Sequence, residues 1–188
     1  MRYLLKYGAA LSFLMLAFSS CREEPSYPVE PEINFKRVDQ FHFEEFGIKR
    51  DSLVIVIGYQ DGDGNLGLSR SSEADKKPPF NPGSPYFNNF ITELFIKRPV
   101  AVGSKDSTFV KYVFPVQGFD FSGRFPRLSS DERIEPLEGD IKYSLNITSD
   151  LFRVGDIIKF QIFIYDRTLP VPNKSNVVET RPIKLFKK

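Results

Sequence analysis

The chain has 188 residues with 26 Lys and Arg against 24 Asp and Glu, one His, one Cys and no Trp. Charge this balanced gives no support to a nucleic-acid partner, for which a basic face is expected, and a single cysteine excludes a disulfide framework. The length fits one domain with a real core.

Arg2 and Lys6 precede an apolar run from about Gly8 to Phe18, and the small residues Ser19 and Ser20 precede Cys21. A basic start, a short apolar stretch and a small-residue cleavage site make residues 1–20 an export signal, too short to span a bilayer. The segment Leu16 to Cys21 (L-A-F-S-S-C) resembles a bacterial lipobox, with Phe18 standing where that motif prefers Leu. The resemblance implies that Cys21 carries lipid and begins the mature chain. An ordinary secretory signal with an unpaired thiol is the other reading. Arg22-Glu23-Glu24 resembles the export tag of surface lipoproteins in the Bacteroidota, which implies the outer face of the outer membrane. Pro25, Pro28 and Pro31 follow; spaced prolines favour extended backbone, so residues 21–32 read as a lipidated cysteine and a semi-rigid tether.

From residue 33 to 188 the pattern is that of strands. Ile33, Phe35, Phe41 and Phe43 share a parity in a first strand that must bend or bulge. Ser52–Tyr59 is a β-branched run, apolar on both parities, which predicts a central strand covered on both faces. Phe90–Lys97 and Thr108–Phe114 read as a hairpin across the turn V-G-S-K-D-S. Two cleaner strands begin after Gly139-Asp140 and Gly155-Asp156, with Ile141, Tyr143, Leu145 and Ile147, then Ile158, Phe160, Ile162 and Ile164, facing inward. Asn176–Phe186 closes the chain, and Pro182 inside it predicts an edge position or a bulge. About seven strands without helical periodicity predict an all-β fold, an antiparallel β-sandwich of immunoglobulin or fibronectin-III type.

The sharpest chemical signal is Tyr59–Gly67, Y-Q-D-G-D-G-N-L-G, at the end of the central strand. Asp61, Asp63 and Asn65 alternate with small residues, so three oxygen-bearing side chains can turn to one side of a tight loop, as calcium requires. In such a sandwich the loops after the second and sixth strands emerge at one end. Asp166 is then expected beside Asp61, making Asp61, Asp63, Asn65 and Asp166 the candidate ligands, with Asn173 and Asn176 as weaker ones. The loop is no EF-hand, since Leu66 and Ser72 occupy the positions of the glycine and the bidentate glutamate. Asp-Gly and Asn-x-Gly also make ordinary turns, and that reading stays open.

The long connection from Asp61 to Asn88 carries Pro78, Pro79, Pro82 and Pro85 among Phe80, Tyr86 and Phe87. Long loops are usually functional, so Phe80, Tyr86 and Phe87 are candidate partner contacts; a strap across the sandwich is the alternative. Phe119, Phe121 and Phe125 in the segment Gly118–Leu128 read as a plug for the open core. No catalytic set stands out. His42 sits in a strand, no G-x-S-x-G occurs, and Asp131, Glu132, Glu135 and Glu138 form one polar loop, so the chain reads as non-catalytic.

Asp61 to Gly67, Asp166-Arg167 and Ser175-Asn176 are similar to recurrent features of small lipoproteins of the Bacteroidota that have an immunoglobulin-like domain. That resemblance implies a fold and an outer-membrane location and carries no activity. The expected function is a binding or scaffolding module of the envelope, contacting another protein through the loop end. The alternative is a carbohydrate-binding accessory or weak glycan hydrolase, with Tyr86 or Tyr59 replacing the absent Trp as the stacking residue.

Overall fold

A computed structural model describes residues 25–129 and 133–187. The export signal, Cys21, Arg22-Glu23-Glu24, Asp131 and Glu132 lie outside those residues. The strands are β1 (Glu32–Glu45), β2 (Ile48–Asp61), β3 (Phe90–Pro99), β4 (Ser107–Lys111), β5 (Leu137–Thr148), β6 (Ile157–Ile164), β7 (Val178–Glu179) and β8 (Ile183–Lys184). One antiparallel sheet runs β1-β2-β5, and the other runs β4-β3-β6-β7 with β8 also on β6. Placing strands 1, 2 and 5 against strands 3, 4, 6 and 7 makes this a β-sandwich of the fibronectin-III kind, as the alternating patterns predict.

The expected bend in β1 is a bulge between Phe35 and Arg37. Pro182 lacks the N–H a ladder needs, and the closing strand breaks there into β7 and β8, which raises the strand count to eight. The predicted partner of β3 is shorter than its pattern, because beyond Lys111 the chain turns Tyr112 and Phe114 against the core.

Alternation places one column of each strand between the sheets. On β2 that column is Asp51, Leu53, Ile55, Ile57, Tyr59 and Asp61; on β6 it is Ile158, Phe160, Ile162 and Ile164, and Asp166 continues it past the strand end. The apolar members are buried and meet Phe90, Leu94, Ile96, Ile141, Leu145 and Ile147 from the neighbouring strands. Phe125 is buried in this core, Phe121 packs on its margin and Phe119 stays partly exposed, so the predicted plug is realised by its last two rings.

The sandwich is also tied at one seam. The Asn176 side chain accepts from Ile33 N–H (2.7 Å) and donates to the Ile33 carbonyl (2.8 Å), imitating a paired strand on the free edge of β1. Asn176 is therefore a clamp between sheets and not a member of the ion cluster. Removing two net hydrogen bonds at about 1 kcal/mol each, Asn176→Ala is expected to lower unfolding free energy by about 2 kcal/mol in urea titrations.

Candidate metal centre

Two inward columns end in aspartates at the same mouth of the sandwich. Asp61 is the last residue of β2 and Asp166 lies just past β6; both are fully buried. The loops that follow are joined directly, because Asn65 Nδ2 donates to Asp63 Oδ2 (2.8 Å) and to Thr168 Oγ1 (3.1 Å). The structure thus brings Asp61, Asp63, Asn65 and Asp166 into one cluster across about a hundred positions of sequence.

Their bonding differs sharply. Asp166 is fully used: Oδ1 accepts from the N–H of Thr168 (2.9 Å) and Asn173 (2.7 Å), and Oδ2 from Thr168 Oγ1 (2.7 Å) and Asn173 Nδ2 (2.8 Å). It shapes the β6-β7 loop, and Asn173 serves it as a donor. Asp61 is the opposite case, with neither carboxylate oxygen reaching a hydrogen-bond partner, and Asp63 Oδ1 is likewise buried and unpartnered. Buried oxygens left this way cost about 1–3 kcal/mol each, so a native chain rarely keeps three together without a use for them.

Burial, then the charges of Asp63 and Asp166, push the Asp61 pKa up to about 7; the backbone N–H groups of Asn65 and Gly64 lean toward it and offset part of the rise. Burial is also the main cause of the upward shift at Asp63, with Asp166 adding to it and the Asn65 N–H and Arg167 opposing it. The buried aspartate at the other end of the β2 column, Asp51, has no such deficit. It accepts from Gln40 Nε2 (2.8 Å) and Phe186 N–H (2.8 Å), and His42 Nδ1 lies 2.5 Å from its second oxygen.

The loop is more than a strand reversal. Gly62 N–H donates to the Pro28 carbonyl (2.8 Å), Leu68 N–H to Phe125 O (3.0 Å), and Leu128 N–H to Leu66 O (3.2 Å), while Leu66 and Leu68 are buried. At Gly67, φ is +92°, and a Cβ there would overlap the Pro126 carbonyl. A Cβ at Gly64 would likewise overlap the Glu135 carbonyl, so the glycines let the backbone at Pro28, Phe125–Leu128 and Glu135 close on the loop, which fixes Asp61 and Asp63 in place.

The cluster suits a hard cation in part. Asp61 and Asp63 keep three unpartnered oxygens, and the neighbouring Asn65 amide oxygen accepts a long bond from Arg167 N–H (3.4 Å). Calcium takes about six to eight oxygens, so backbone carbonyls and water must supply the remainder. Among the described residues no three acidic, His or Cys side chains form a ready cage, because Asp166 directs its oxygens into its own loop.

The predicted partner contacts separate. Phe80 is buried, so its ring is not offered to a partner. Tyr86 stands edge-on to Tyr165 at 5.0 Å, and Phe87 lies 5.0 Å beneath the Arg124 guanidinium; both are half-buried. Tyr59 packs against the core, with its ring over Gly139. Both tyrosines are half-buried, and Tyr59 also lines a cleft with Glu32, Asn34, Lys36, Gln60 and Glu138.

One residue that holds this region together was missed in the sequence. Asp75, buried in the short 3-10 turn Ala74–Lys76, takes two parallel bonds from Arg127, Nε to Oδ2 (2.9 Å) and Nη2 to Oδ1 (2.8 Å), and one from Ser69 N–H (2.6 Å). Arg127 and Ser69 outweigh burial and hold the Asp75 pKa below the usual carboxylate range. A scan against protein-family models returns no match, and neither does a search of curated proteins or of solved structures.

Proposed function

We propose that this chain is a non-catalytic lipoprotein of the cell envelope, a binding or scaffolding module whose loop end is made rigid by a calcium ion. The observation that carries the ion is the fully buried Asp61 carboxylate with no partner on either oxygen, next to the unpartnered oxygen of Asp63. The lipid anchor at Cys21, the outer-membrane location and the tether rest on the sequence resemblance. Asp61 and Asp63 are the side-chain ligands, Asn65 the third, and Asp166 the residue that orders the opposing loop and adds negative charge.

The ion's role is structural. It neutralises the acids at the mouth of the sandwich and fixes the β2-β3 and β6-β7 loops as one surface, the surface offered to another envelope protein. The carbohydrate alternative finds less support, since Tyr59 and Tyr86 are both engaged within the fold.

The test is thermal unfolding of residues 22–188 with calcium and with chelator, repeated on Asp61→Ala/Asp63→Ala. Calcium at about 100 times its dissociation constant is expected to add about 2.7 kcal/mol to the wild type and nothing to the variant. An equal midpoint with calcium and chelator in the wild type removes the ion from this reading.

A further inference from the structure

A second polar site, with none of the aspartate cluster in its lining, lies on the long β2-β3 connection. A cleft of about 400 Å³ is lined by Arg70, Lys76, Pro82, Phe87, Asn88 and Arg124, three cations with no carboxylate among the lining residues. Arg124 is held in a fixed pose. Its Nη2 donates to the Asp75 carbonyl (2.9 Å), its guanidinium lies 5.0 Å over the Phe87 ring, and its buried Nε has no partner. Asp75 is itself locked by Arg127, so the carbonyl that orients Arg124 does not move freely.

The charges around the cleft are unevenly matched. Lys76 reaches Glu73 (2.6 Å), an exposed pair of small worth, while no carboxylate closes on Arg70 among the described residues. Burial first and Arg70 second lower the Arg124 pKa, against the pull of Asp75, as expected of two guanidiniums facing one space. A planar guanidinium held in one pose, with a second guanidinium and an ammonium lining the same cleft and no carboxylate among the lining residues, offers the charge and donors that grip an oxyanion.

We propose that this cleft binds a single oxyanion, a carboxylate, sulfate or phosphate group of a ligand, gripped by Arg124 and Arg70 beside the Phe87 ring and Pro82. Lys76 adds charge at the rim, and the Asn88 amide is the neutral donor. This site gives the Pro- and Phe-rich connection a ligand class, and it does not depend on calcium.

The experiment titrates the protein with sodium sulfate, phosphate and acetate at constant ionic strength, reading the Arg Nε–H signals by NMR, with the Arg124 signal assigned by its loss in Arg124→Lys. A saturable shift of Arg124 Nε–H is expected, at least tenfold weaker in Arg70→Gln, whose thermal midpoint stays near wild type because Arg70 is exposed. Response to sulfate and phosphate alone assigns a tetrahedral group, and response to acetate assigns a carboxylate. A linear drift equal to that of the surface residue Arg37, or a saturable shift unchanged in Arg70→Gln, overturns the proposal.

Discussion

Asp61→Asn is expected to raise the thermal midpoint of the calcium-free domain at pH 8 and to abolish its response to calcium. The native pKa near 7 means that the folded chain keeps a proton on Asp61 where the unfolded chain, with an ordinary aspartate, has lost it. Stability from this group is fully present below about pH 4 and is lost as pH rises through about 7. Three units at about 1.36 kcal/mol each set an upper bound of about 4 kcal/mol, shared in practice with Asp63 and Asp166. Asparagine has the shape of the protonated acid and no charge to bury, so it recovers part of that loss. Calcium acts on the ionised form, so in the wild type it should flatten the fall in stability between pH 5 and pH 8. Unfolding midpoints across that range, with calcium and with chelator, check both effects. A wild-type midpoint insensitive to pH in chelator would show that Asp61 is ionised at little cost and would weaken the case for the ion.

The second large effect is expected at the other end of the same column. Asp51→Ala should cost about 3–5 kcal/mol, because it strands the Gln40 amide, the Phe186 N–H and the His42 ring around a fully buried position. Urea denaturation of the single variant measures it. Leu185 and Phe186 are core residues, so losing their anchor should also release the end of the chain, and amide exchange at Phe186 should rise in the same variant. Asp51→Asn keeps the volume and one acceptor and should cost markedly less. A change under about 1 kcal/mol for alanine would mean that the three donors find water.

The sandwich was legible because period-two patterns are local: Ile141 to Ile147 and Ile158 to Ile164 announce their inward faces without reference to any other strand. The meeting of Asp61 with Asp166 was legible one level up, through the strand count and the rule that two loops share an end. Asp51 could have been found by the same parity, since it sits in phase with Leu53, Ile55 and Ile57, and a polar residue in an inward column must be satisfied by something. Asn176 and Asp75 were not legible. Asn176 is bound to Ile33, 143 positions away, and Asp75 to Arg127, 52 away, and nothing near either residue names that partner. Phe80 was misplaced for a related reason: a proline-rich segment with aromatics reads alike whether it lies across a surface or folds its ring inward, and burial decides between them. That the Asp166 oxygens are used within their own loop was hidden because Thr168 and Asn173 look like ordinary turn residues.

Gly62 donates to Pro28, so the segment leading into β1 is fastened to the loop that holds Asp61 and Asp63. Any pull arriving through the residues before Tyr27 is met by the Tyr27–Glu138 side-chain bond and the Gly62–Pro28 bond, and then by the long β1-β2 ladder, loaded along the strand axis so that its bonds resist together. The aspartate loop is thus the mechanical junction between the lead-in segment and the body, and an ion that stiffens it would set the force at which the domain begins to yield.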